Sequence, residues 1–150
     1  MKNNLMPDLF DKVLLLKKSD IFNEINTEDL RFVADALEEE QYFSGDRIFE
    51  KNDRGEYMYL IIEGQVGIAL EKNLDEFVAT LSSGECFGEM NLLDDLPRSA
   101  SAVVMKDVRL LKLSRARLRG LIMSYPELGM GMLKSLSLRL RETTRLVSKK

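Results

Sequence analysis

The chain has 150 residues, enough for one domain of ordinary size, and its 45% apolar and 31% charged content is that of a folded, soluble protein. One cysteine, Cys86, and no histidine exclude an internal disulfide, a cysteine-clustered metal site, and any Ser–His–Asp, Cys–His or histidine-ligated chemistry. A noncatalytic protein without a metal or cofactor is expected, because the commonest acid–base residue is missing. No apolar run approaches the ~20 residues of a membrane span. The first seven residues lack the basic-then-apolar pattern of a signal peptide, so a cytoplasmic protein with no membrane partner is expected. The net charge of −3 joins two unlike stretches: residues 1–102 hold 10 Lys/Arg and 22 Asp/Glu, whereas residues 103–150 hold 12 and 3. A basic final third reads as solvated helix faces or as a surface for nucleic acid or an acidic partner.

Residues 1–40 read as helical. Phe10, Val13, Leu14 and Leu16 are expected on one side of a short amphipathic segment. Asn26 or Thr27 can cap a second helix whose apolar stripe is Leu30, Val33, Ala34 and Leu37. Residues 41–113 read as strand and turn. Ser44-Gly45-Asp46 and Asn52-Asp53-Arg54-Gly55 are turn signals. Residues 57–62 are apolar throughout, as in a strand covered on both faces, and Glu63-Gly64 turns them into a strand over 65–70. Asn73 and Asp75 mark a loop before a strand over 77–81. Strands over 99–105 and 108–113, separated by Lys106-Asp107, complete the set. Short strands at this spacing predict a mainly β architecture, a β-roll or jelly-roll barrel.

Residues 114–150 return to helix. Ser114 can cap one helix, and Pro126 suits the first turn of a longer one running to about Val147. Leu133, Leu136, Leu140, Thr143 and Val147 are spaced as an a/d seam. The seam predicts a homodimer through this helix, with Leu128, Met132 and Leu138 left to pack on the helix's own barrel; the alternative is a helix that only packs on its own barrel. Gly129 and Gly131 loosen the helix locally or allow a close packing contact.

The segment 84–102 holds the candidate site. Gly88 permits close backbone approach to a ligand, and residues 89–93 suit one or two helical turns whose first N–H groups attract an anion. Arg98 arrives nine residues after Glu89, and its planar fork can bond two oxygens of a phosphate. Asn91 and Ser99 can add neutral donors. A carboxylate beside a phosphate is repulsive, so Glu89 needs another task, such as accepting from a ribose hydroxyl. The alternative is an Arg98–Glu89 ion pair in an ordinary loop. Cys86 reads as core rather than nucleophile, and the eight methionines as core filler.

Phe87-Gly88-Glu89-Met90 followed by Pro97-Arg98-Ser99-Ala100 resembles the phosphate-binding cassette of the cyclic nucleotide-binding domains. That family includes the catabolite-activator and FNR-type bacterial regulators, kinase regulatory subunits and nucleotide-gated channels. The Gly45-Asp46, Glu63-Gly64 and Gly84 turns and the terminal helices sit in family order, so the resemblance covers nearly the whole chain. It implies a single domain over 1–150. Helices over 1–40 precede a β-roll over 41–113 that holds the cassette at 87–100. Helices over 114–150 follow, with the long C-terminal one closing over the base. It also implies a noncatalytic sensor that binds cAMP in preference to cGMP and transmits binding through that helix. Gly88, Met90 and neighbouring N–H groups would meet the cyclic phosphate, Arg98 its charge, Glu89 the ribose 2′-OH, and Ser99 the phosphate or base. Thr143-Thr144 resembles the Thr-Ser pair with which the catabolite activator reads adenine, one residue from each subunit.

Three departures accompany the resemblance. Asn91 stands where the family has a small residue, and it adds a donor or crowds the phosphate. Asp94-Asp95 must point to solvent or weaken anion binding. Asn52 replaces a common turn glycine. A DNA-reading helix-turn-helix would need further chain after Lys150, so no DNA-binding domain is expected within these residues. The competing readings are a dimeric scaffold that no longer binds nucleotide, the sensory half of a truncated transcription regulator, a nucleic-acid binder using the basic third, and an enzyme.

Overall fold

The computed structural model of the chain describes residues 7–70 and 76–148, so the loop marked by Asn73 and Asp75 lies outside the described residues. Helix α1 (Leu9–Lys17) starts at Asp8, whose side chain and that of Asp11 cap each other's backbone N–H. Its buried residues are Val13 and Leu16, while Phe10 and Leu14 are exposed rather than sharing that face. Helix α2 (Thr27–Asp35) is capped by Asn26 and buries the expected Leu30, Val33 and Ala34.

Strands β1 (Glu38–Tyr42), β2 (Arg47–Phe49), β3 (Tyr57–Ala69), β4 (Ala79–Leu81), β5 (Cys86–Phe87) and β6 (Ser101–Ser114) form one antiparallel sheet. Its path runs β1-β6-β3-β4, with β2 added to β6 and β5 to β3. Strand begins at Glu38, inside the stretch expected to be helical to residue 40. The run Glu38-Glu39-Glu40 reads as a solvated helix end, but β6 supplies its partners from 70 residues away. Arg109 Nη2 lies 2.8 Å from Glu39, and Lys112 Nζ lies 2.6 Å from Glu40.

Two expected turns are bulges within long strands. Glu63-Gly64 does not break β3, and Lys106-Asp107 does not break β6; the β3–β6 register shifts between Ile61 and Val66 instead. Gly64 has φ 105°, and a Cβ there would lie 2.3 Å from the Asp107 carbonyl oxygen. The two strands therefore kink against each other at a position that admits only glycine. The apolar core of the sheet lies among Tyr59, Ile61, Val66, Phe87, Ala102, Val104, Val108 and Leu110.

Between β5 and β6 lies α3 (Asn91–Asp94), and after β6 come α4 (Arg115–Ser124) and α5 (Pro126–Ser148). Ser114 Oγ accepts from the Arg117 N–H and caps α4. The chain divides into a helical unit, residues 1–36 with 120–150, and a β unit, residues 37–119. Within the helical unit α5 buries Leu128, Met132 and Ser135. Ser135 Oγ accepts from the Glu24 N–H, and a Cβ on Gly131 would lie 2.6 Å from Ile25. Gly131 is thus a packing glycine against the segment between α1 and α2. Leu138, expected on the packed face, is exposed, and Ser135 takes that place. No helix among the described residues is long and apolar enough to cross a membrane.

Candidate functional site

A cavity of about 240 Å3 opens in the β unit, lined by Phe49, Ile68, Cys86, Phe87, Gly88, Glu89, Asn91, Arg98, Ser99 and Ala100. Five of the expected site residues therefore come together: Gly88, Glu89, Asn91, Arg98 and Ser99. Met90 is exposed and does not line it. Thr143 and Thr144 belong to the helical unit, both exposed on α5.

Arg98 is the unusual member. It is 3% exposed, and no carboxylate among the described residues lies within ion-pair distance of it. Nη2 donates to the Tyr57 carbonyl at 2.6 Å, and Nη1 to Asn91 Oδ1 at 3.0 Å and the Gly88 carbonyl at 3.4 Å. Nε has no hydrogen-bond partner among the described residues. The guanidinium carbon sits 4.0 Å from the centre of the Phe49 ring, a cation–π contact that holds the charge without neutralising it. Burial holds the pKa of Arg98 below its ordinary value, and Arg115 pushes in the same direction. The same burial raises the Tyr59 pKa. A buried charge without a counter-charge costs several kcal/mol, so the surroundings of Arg98 suit an anion.

Gly88 makes the arrangement possible. Its φ is 78°, and a Cβ would stand 2.6 Å from Arg98 Nη1. Helix α3 has only four residues and Met90 caps it with no side-chain bond. Its four residues make about one turn, beginning two residues later than the Glu89 expected to open it. The N–H groups of Glu89, Met90 and Ser99 donate to no protein acceptor among the described residues.

Glu89 accepts from the Cys86 thiol at 3.7 Å and makes no ion pair with Arg98. The ordinary-loop alternative, in which the two neutralise each other, is therefore not what the chain adopts. One of the two Asn91 Nδ2 hydrogens is taken up by the Leu96 carbonyl at 2.6 Å. The Asp94 and Asp95 carboxylates are engaged elsewhere, by the Leu96 N–H at 3.0 Å and by Arg115 Nη1 at 2.6 Å, and neither residue lines the cavity. Phe49, Tyr57, Gly55 and Arg115 escape a reading of the sequence. Each acts across a distance of tens of residues, and no local spacing signals it.

The family model of the cyclic nucleotide-binding domain matches residues 39–125. The chain belongs to the cyclic nucleotide-binding domain family. It is 34% identical over 129 residues to the cyclic AMP receptor protein of Thermus thermophilus, covering 85% of this chain and 60% of that one. It is 33% identical over 107 residues to a cAMP-dependent protein kinase regulatory subunit of Eremothecium gossypii, covering 71% of this chain and 23% of that one. The chain thus spans about three fifths and about one quarter of these relatives' lengths. In three dimensions it is similar to the N-terminal domain of a transcriptional regulator from Streptomyces coelicolor. That match has a TM-score of 0.78 at 26% identity and covers 86% of this chain and 94% of that one. Among the described residues no cluster of His, Cys, Asp and Glu could hold a metal ion.

Proposed function

We propose that this chain is a noncatalytic sensor that binds one cyclic nucleotide, cAMP in preference to cGMP, and passes the signal on through its C-terminal helix. The observation that carries this reading is Arg98: a guanidinium 3% exposed, lining a cavity, held by neutral oxygens and a ring, with no carboxylate among the described residues to match its charge. A cyclic phosphate supplies that match and takes the free N–H groups of Glu89, Met90 and Ser99. The Glu89 carboxylate, not spent on Arg98, is left to accept from a ribose 2′-OH. At about 240 Å3 the cavity is smaller than the 300–1,000 Å3 usual for whole drug-sized ligands. It suits a sugar phosphate, with the base contacted by other residues.

Preference for adenine rests on Thr143. Its hydroxyl donates to the Arg139 carbonyl at 3.0 Å, which leaves oxygen lone pairs on offer. The exocyclic amine of adenine donates, and the corresponding carbonyl of guanine does not. Leu133, Leu140 and Val147 are exposed along the same seam, which supports a second copy of the chain covering it. Dimer and ligand would then bias one helix and be linked reciprocally.

Calorimetric titration of the full chain with cAMP and cGMP tests the reading. One cAMP per chain, bound more tightly than cGMP, is expected. Absence of heat and of any rise in melting temperature at millimolar concentration of either nucleotide refutes it.

A further inference from the structure

Asn91 is where two arginines of the β unit, Arg98 and Arg115, meet. Its Oδ1 accepts from Arg98 Nη1 at 3.0 Å, and its Nδ2 donates to the Leu96 carbonyl at 2.6 Å, so both ends of the amide are engaged. Its main-chain carbonyl accepts from Arg115 Nε at 3.1 Å and also from Arg115 Nη2. Arg115 in turn bonds the Gly55 carbonyl and the Asp95 carboxylate, each at 2.6 Å. One arginine therefore ties the β2–β3 loop to α3, and the residue it holds orients the other arginine.

The amide fits because residue 55 is glycine. A Cβ at Gly55 would lie 2.4 Å from both Cβ and Cγ of Asn91 and 2.7 Å from its Nδ2. These are core atoms of a side chain pinned at both ends, so they cannot give way cheaply. An amide oxygen also suits the task chemically. It orients a guanidinium while leaving the positive charge whole, whereas a carboxylate would take the charge that an anion is to meet.

We infer that Asn91 and Gly55 are a matched pair that positions Arg98: Asn91 fixes the guanidinium, and Gly55 supplies the space Asn91 occupies. This rests on Arg98 being the anion partner of the proposed ligand.

The test uses the full chain, with cAMP titrations and with side-chain nitrogen spectra recorded without ligand, the Arg98 signals being identified by their loss in Arg98→Lys. Asn91→Ala is expected to bind cAMP roughly 10-fold more weakly, the scale of one hydrogen bond to a charged group. Gly55→Ala should lose a similar factor, yet lose nothing further in the Asn91→Ala background, where the space is restored. In the spectra the Arg98 Nη1 hydrogens should be held against rotation in the wild type and released in Asn91→Ala, while Nη2 stays on the Tyr57 carbonyl. Unchanged Arg98 signals in Asn91→Ala, or affinity within twofold of wild type, overturn the inference. A wild type that binds neither cAMP nor cGMP refutes the functional reading alone, and the spectra still decide the positioning.

Discussion

The β unit and the helical unit each break the ordinary rule of burial, in opposite directions. In the β unit a charge is inside: Arg98 sits among Phe49, Tyr59 and carbonyl oxygens. In the helical unit apolar side chains are outside: Leu140 is 67% and Val147 63% exposed. Single exposed apolar residues are unremarkable, but a row of them at heptad spacing is not. The buried charge asks for a small anion, and the exposed row asks for another apolar surface. The two units thus point to two kinds of partner.

The comparison breaks most sharply at Arg98. Arg98→Ala should weaken cAMP binding by about 2–5 kcal/mol, because the phosphate loses its charge partner. Arg98→Lys should restore only part, since an ammonium lacks the planar fork. Calorimetry reads both, and wild-type affinity in Arg98→Ala would show the phosphate is held elsewhere. On the other side, Leu140→Asp puts a charge in the seam. Burying it in an apolar contact is costly, so self-association should weaken at least 10-fold in sedimentation while Arg98 and its cavity stay intact. Glu89→Gln sharpens the assignment within the cavity. The variant should discriminate less between cAMP and its 2′-deoxy analogue, by roughly 10-fold, the worth of a hydrogen bond to a charged acceptor.

The smallest effect is on stability and separates folding charges from ligand charges. Burial alone would raise the Glu40 pKa, but hydrogen bonds from Lys112 and Tyr42 outweigh it and the pKa is lowered. A lowered carboxyl pKa contributes stability that is present above the ordinary value and is lost as pH falls through the lowered one. The Lys112 pKa is raised, chiefly by its hydrogen bond to Glu40, so its contribution is lost only as pH rises through that raised value. Glu40→Gln should therefore flatten the acid limb of thermal stability below about pH 5 and leave cAMP affinity at neutral pH unchanged. An acid limb identical to wild type would remove Glu40 from the account.

The stripe of α2, the Ser114 cap, the long α5 and the Gly88-Glu89 to Arg98 spacing were all legible along the chain. Each depends on near neighbours and on one periodicity. The continuity of β3 and β6 was not, because Glu63-Gly64 has the composition of a turn. Only the Asp107–Val108 backbone lying against it makes it a bulge. The start of β1 was hidden for a similar reason, since three consecutive glutamates look solvated until Arg109 and Lys112 stand opposite two of them.

At the site, residue types and spacing determined which side chains could serve an anion and a hydroxyl. Tertiary structure alone decided their condition. It separated Glu89 from Arg98, placed the guanidinium over Phe49, turned the Asn91 amide oxygen to Arg98, and left Arg98 buried without a counter-charge among the described residues. Spacing along a chain says that groups can meet. Whether they neutralise each other depends on what else surrounds them and on how much water is excluded, and those are set by strands and loops distant in sequence.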